Sequence, residues 1–253
     1  MTKAERVLRA TVWNEYVEER EDPSIGELYP NGLHTTIAEG LLELLGERVA
    51  VGTATLGQPR HGLPSELLDG TDVLLWWGHR AHQAVDDAVV EDVCRLVHDG
   101  MGLVVLHSAV HSKVFRRLMG TSCRLDWRHD DREVLWTVEP DHPIASGIRN
   151  PVVIPCSEMY GEPFDIPPPD ELVFISSFEG GEVFRSGCCF RRGRGRVFFF
   201  APGDERYPIY HQPEIRRILA NAVRWADRRP ARIQPAGGVE RPRGWYQDGA
   251  EAR

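Results

Sequence analysis

Lysine is almost missing from this chain of 253 residues: only Lys3 and Lys113 stand beside 28 arginines in a basic total of 30. Acidic residues outnumber basic ones, 38 against 30, and the formal net charge is −8. The basic excess of a nucleic-acid binder is therefore lacking, and no nucleic-acid partner is expected. No apolar run approaches the roughly 18 residues that a membrane span needs, so no membrane partner is expected either. The amino-terminal MTKAERVLRATVW has no apolar stretch followed by a small-residue cleavage site, and reads as no secretion signal. Cysteine is sparse: there are five, an odd number, without a C-x-x-C pair, and the adjacent Cys188 and Cys189 are badly placed for a structural bridge. A reduced, cytoplasmic chain is the expectation. Phosphate cradles are absent too. Neither G-x-x-x-x-G-K-[ST] nor a strand-linked G-x-G-x-x-G occurs, so no nucleotide cofactor is expected.

What is present is ample apolar material, 42% of residues against 27% charged, which excludes a disordered chain. RVLRATVW reads as a strand, TTIAEGLLELLG as a helix stopping at Gly46, and RVAVGTATL as a second strand. DVLLWWG and GLVVLHSA are continuously apolar, as strands covered on both faces are. Between them DDAVVEDVCRLVHDG reads as a helix closed by Gly100, and SKVFRRLMG follows as a short helix. This alternation predicts an α/β unit on a parallel sheet over the first ~120 residues. From about 130 to 200 the character changes to strand-like runs split by Gly and Pro, with GRGRV (Gly193 to Val197) as a hairpin turn. QPEIRRILANAVRWADRR then predicts a last helix with Pro213 in its first turn. One α/β domain over 1–229 is expected, with a loosely ordered tail over 230–253 that holds prolines and glycines without periodicity.

In an open parallel sheet, ligands bind at the carboxyl ends of the strands. Trp13, Asn14 and Glu15 follow the first strand, His79 and His82 the third, and His107, Ser108 and His111 the fourth. Later strand ends offer Glu158, Tyr160 and Glu162, then Asp204 and Glu205. Four of the ten histidines thus fall at two adjacent strand ends. Imidazole is the commonest metal ligand and carboxylates can complete a site, so a divalent ion such as Zn²⁺ on His34, His79, His107 and Glu158 is one expectation. The other is that these rings cap helices or bond carbonyls. His61, His98, His129 and His142 read as surface residues. Arg185, inside an apolar strand, needs a partner. Trp76 and Trp77 alternate faces, so at least one is core.

TVWNEYVEE, YPNGLHTTIAEGL, TATLGQPRHGL, DVLLWWGHRAHQAV, GLVVLHSAVHSKVFRRLMGTSC, the segment from EMYGEPFDIP to FFFAPG, and YPIYHQPEIRRILANAVRWA resemble the ThuA-like (trehalose utilisation) family. The resemblance spans roughly residues 8 to 227. It implies a flavodoxin-like, class I glutamine amidotransferase-like three-layer α/β sandwich with a mainly parallel sheet and an antiparallel elaboration. It also implies a role in using trehalose-type disaccharides, beside a dehydrogenase that makes 3-keto sugars. The amidotransferase superfamily carries a nucleophilic Cys on a sharp strand-to-helix turn. Here that turn reads His107-Ser108, and the His partner position resembles Pro202-Gly203-Asp204-Glu205. No cysteine nucleophile and no glutaminase activity are therefore expected.

Two functions compete. One is acid–base, metal-assisted cleavage or rearrangement of a small-molecule sugar, by a lyase, hydrolase or isomerase. It would have His79, His107, Glu158 and Tyr160 as catalytic residues, and Trp13, Asn14, His82, His111, Glu162 and Arg185 binding substrate. The other is a non-catalytic carbohydrate-binding or regulatory domain. A homo-oligomer is left open.

Overall fold

The computed structural model describes residues 6–227. The tail expected over 230–253 lies outside them. Strand β1 (Leu8–Asn14) is followed by two short helices, α1 (Glu18–Glu21) and α2 (Pro23–Leu28), and by α3 (Leu33–Leu45), which Gly46 ends at a φ of 57°. Next come β2 (Val49–Thr55), α4 (Ser65–Gly70), β3 (Val73–Trp77), α5 (Asp87–Asp99), β4 (Gly102–Leu106) and α6 (Lys113–Met119). Four strands follow without an α-helix between them: β5 (Asp126–Thr137), β6 (Val152–Gly161), β7 (Glu171–Phe178) and β8 (Val183–Arg192). The hairpin expected at Gly193 leads into β9 (Gly195–Phe200), and α7 (Pro213–Ala226) completes the described chain.

All nine strands form one sheet in the order β2-β1-β3-β4-β9-β8-β7-β5-β6. The first five are parallel and the rest antiparallel. The order 2-1-3-4 with a fifth parallel strand is that of a flavodoxin-like sheet. The chain reverses direction across the sheet at β1, and the crevice at the carboxyl ends of β1 and β3 is where such folds bind ligands.

Period-two burial sorts the parallel strands between two cores. Trp77, Leu106, Phe198 and Phe200 pack with α3 and α7 on one face. Trp76, Val105, Val197 and Phe199 pack with α4, α5 and α6 on the other. Both tryptophans are thus core. Each apolar side chain so buried contributes roughly 1.5–3 kcal/mol, which lets short helices such as α4 and α6 hold their places.

Two departures from the sequence pattern matter. The polar stretch after β1 is helical in α1 and α2. Strand β5 begins at Asp126, inside the charged run DWRHDD, because pairing with β6 satisfies a backbone whose side chains give no strand pattern.

Candidate active site at the carboxyl edge

His107 immediately follows β4, on the turn from the strand into a short 3-10 helix. Its φ is +50°, a left-handed conformation for a residue with a side chain, so the chain turns sharply at this imidazole. The ring is fully buried. Its Nδ1–H donates to the Ala201 carbonyl at 2.7 Å, which points Nε2 at Glu158 Oε2, 3.1 Å away, and at the Tyr160 hydroxyl, 3.3 Å away. Tyr160 also stacks on the imidazole, with centroids 4.9 Å apart and planes 7° from parallel. Burial works against charge on His107, but the hydrogen bond and charge of Glu158, with Asp204 behind, raise its pKa above the ordinary value. Burial likewise opposes ionisation of Glu158, and the His107 hydrogen bond outweighs it and lowers the pKa. Each thus favours the charged form of the other.

Glu158 Oε1 faces a second ring, His129 Nδ1, at 3.1 Å. His129 also lies 3.8 Å from Asp204 and against the Arg206 guanidinium, which grips Asp204 at 3.2 Å. Trp127 sits opposite Tyr160 in the β5–β6 ladder, so both project from one face of the ribbon. It is 57% exposed, with its ring 4.9 Å from that of His129.

A second cluster stands at the neighbouring strand end. His79 follows β3, and its Nδ1 lies 2.9 Å from Glu18 Oε2 and 3.2 Å from Glu205 Oε1. Burial opposes charge on this ring, but the two carboxylates push its pKa up to about 11. Burial, with Glu205 nearby, raises Glu18, while Glu205 is lowered, its burial outweighed by the hydrogen bond to His79. Gly78 lets Glu15 approach, since a Cβ there would stand 2.9 Å from Glu15 Oε1.

The four residues expected to share one metal are distributed over three places. His107 and Glu158 group with Asp204, and His79 groups with Glu18 and Glu205. His34 is tied to Asn14, whose Nδ2 lies 3.2 Å from His34 Nδ1 and donates to Glu19 at 2.7 Å. Burial lowers the His34 pKa, against the pull of Glu19. Glu19 also accepts the Leu33 amide, so Asn14, Glu19 and His34 bind the end of β1 to the start of α3. Trp13 is fully buried and stacks on Trp76 at 4.0 Å, so it packs the core under the site and has no face for a ligand. His82 and His111 are edge-to-face at 6.3 Å, and burial drives their pKa values down to about 3 and about 4, leaving both neutral. Arg185 finds its partner in Glu162, through two hydrogen bonds of 2.7 and 3.0 Å. These two residues, both expected to bind substrate, thus bind each other.

Of the histidines read as surface residues, His98 is exposed, but His142 is buried against Glu171 at 2.9 Å and His129 belongs to the site. Glu18, Trp127 and His129 were missed because their local sequence is plain polar or charged. Asp204 and Glu205, at a recognised strand end, were legible. The five thiols are free, and burial raises Cys94 to about 11 and Cys188 to about 12. Ser108 donates its hydroxyl to the Gly78 carbonyl at 2.9 Å. No activated nucleophile of the amidotransferase type stands at the turn.

The ThuA family profile, described as trehalose utilisation, matches residues 9–226. The chain belongs to the ThuA family. Solved ThuA-like structures agree with its fold. A putative ThuA-like protein from Parabacteroides merdae superposes with a TM-score of 0.64 at 13% identity, over 88% of this chain and 90% of that one. One from Bacteroides uniformis gives 0.60 at 18% identity, over 89% and 94%. A cytoplasmic protein from Salmonella typhimurium gives 0.61 at 13% identity, over 87% and 100%. No curated protein matches. No helix among the described residues is long and apolar enough to cross a membrane.

Proposed function

We propose that this ThuA-family chain is a cytoplasmic acid–base enzyme of disaccharide utilisation, acting on a sugar that carries a ketone beside the C–H next to its anomeric carbon. The observation that carries the reading is the meeting of His107 Nε2 with Glu158 Oε2 and the Tyr160 hydroxyl within 3.3 Å, one strand end away from His79. A ketone acidifies the neighbouring C–H. The Glu158 carboxylate, flanked by His107 and His129, accepts that proton. Electron density moves onto the carbonyl oxygen, where the His79 ring of the Glu18–His79–Glu205 cluster is the electrophilic end. The electrons then return to expel the glycosidic oxygen, while the proton held on Glu158 passes across the 3.1 Å contact to His129 Nδ1 and the His129 ring gives up its other proton to the leaving oxygen. Trp127 offers the sugar a flat apolar face.

The test uses 3-keto-trehalose in D₂O, with substrate C–H exchange and product both followed by NMR. Glu158→Gln and His107→Asn should each lower kcat by about 10²–10⁴ and abolish exchange, while the melting temperature shows the fold retained. Wild-type turnover in Glu158→Gln would overturn the reading. The exposed Trp127 also suits a binding module. Sugar binding by wild-type protein without exchange or product would favour that alternative.

A further inference from the structure

We propose that Glu18, His79 and Glu205 together bind one divalent cation of the zinc or manganese class. The inference rests on the reading of this cluster as the electrophilic end of the site, and it adds what makes it electrophilic.

The central fact is one ring nitrogen facing two carboxylates. His79 Nδ1 is 2.9 Å from Glu18 Oε2 and 3.2 Å from Glu205 Oε1. A single N–H cannot form two full hydrogen bonds, and two carboxylates close to one nitrogen also repel each other. Around a metal the same spacing is natural. Ligands at about 2.1 Å from an ion lie about 3.0 Å apart at octahedral angles and about 3.4 Å apart at tetrahedral ones. Both carboxylates are buried, and no lysine or arginine hydrogen bond reaches either among the described residues. Glu205 Oε2 is buried without any hydrogen-bond partner, which is a second, independent sign of a missing ligand. Glu15, Glu19 and Asp204 add further buried acids along the same edge.

The fold sets the three donors on separate supports at the β1–β3 crevice. Glu18 opens α1 after β1, His79 follows β3, and Glu205 follows β9. The His79 side chain is 30% exposed, so an ion there keeps open positions for water or a sugar oxygen, as catalytic sites do. One imidazole and two carboxylates suit zinc or manganese better than calcium, which takes six to eight oxygens. The neighbouring group of His107, Glu158 and Asp204 fits an ion less well. Its members are all buried, Tyr160 covers the ring, and Arg206 already holds Asp204.

The binding test needs no turnover. Full-length protein is stripped with chelator, dialysed, and titrated with Zn²⁺ and with Mn²⁺ by calorimetry, with elemental analysis of the loaded protein. Wild type should take one equivalent. His79→Ala and Glu205→Gln should weaken that binding at least a hundredfold, whereas His107→Asn and Glu158→Gln keep it. Circular dichroism melts check folding, and Glu18→Gln, in the short helix α1, serves where another variant does not fold. Wild type that binds neither ion overturns the proposal. So does an unchanged equivalent in His79→Ala, or loss of the ion in His107→Asn and Glu158→Gln alone. Wild type that holds its equivalent yet turns over equally well in chelator would sink the electrophile reading and leave the cation site standing.

Discussion

Replacing Glu133 by Gln removes a titration from the middle of the antiparallel half of the sheet. Glu133 is buried on β5, with the Ser176 hydroxyl on its Oε1 and no hydrogen-bond partner on Oε2. Burial pushes its pKa from the ordinary 4.5 up to about 7, against the hydroxyls of Ser176 and Ser157 and the field of His107. In the unfolded chain the carboxyl loses its proton near 4.5, while in the fold it keeps the proton until about 7. Between those values the folded state binds more protons than the unfolded one, so stability falls as pH rises through the window and levels off above it. A difference of about 2.5 units at 1.36 kcal/mol each makes the loss about 3 kcal/mol. Gln cannot ionise, so its chain escapes this loss, although its unpartnered amide adds a pH-independent cost of about 1–3 kcal/mol. The quantity to measure is therefore the change in the wild-type-to-variant difference, obtained from urea unfolding at pH 4.5, 6, 7 and 8. Glu133→Gln should gain on wild type by about 3 kcal/mol across that range. Titrations shared by both chains cancel. A difference constant to about 0.5 kcal/mol would refute the claim that burial holds this proton.

Other expectations follow from the same structure. An Ala at Gly195 would place its Cβ 2.2 Å from the Val97 carbonyl oxygen and 2.7 Å from that of Met101, backbone atoms that cannot yield cheaply. Gly195→Ala should cost about 1–3 kcal/mol in urea unfolding, whereas Gly52→Ala, with nothing within 4 Å, should cost little. Equal stabilities would contradict that packing. Trp127→Ala should raise KM for the sugar about tenfold and leave kcat nearly unchanged, since covering about 50 Å² of the indole face contributes about 1.3 kcal/mol. An unchanged KM would remove Trp127 from the site.

The strands and the longer helices of the parallel half were legible. DVLLWWG and GLVVLHSA read as doubly covered strands and became β3 and β4, and Gly46 and Gly100 mark the helix ends they were expected to mark. Legibility failed where side chains are polar and long-range pairing decides the conformation. DWRHDD gave no strand signal, yet it forms the start of β5 and supplies Trp127 and His129. Glu18 lay in a stretch without apolar periodicity and became one of the two carboxylates around His79.

Apolar patterning by itself determined the apolar strands and the longer helices, their alternation and the edge of the sheet at which chemistry would gather. Burial of apolar side chains is read from local periodicity, and strand-end position follows from it. Which polar groups meet at that edge was a matter of tertiary structure alone. Polar partners are chosen by the order of strands in the sheet, and β6, at the far edge in pairing order, still brings Glu158 and Tyr160 to His107. The same ordering separated His79 from His107, although their sequence signals were alike, because each strand end presents its own neighbours: Glu18 and Glu205 to one, Glu158 and Asp204 to the other.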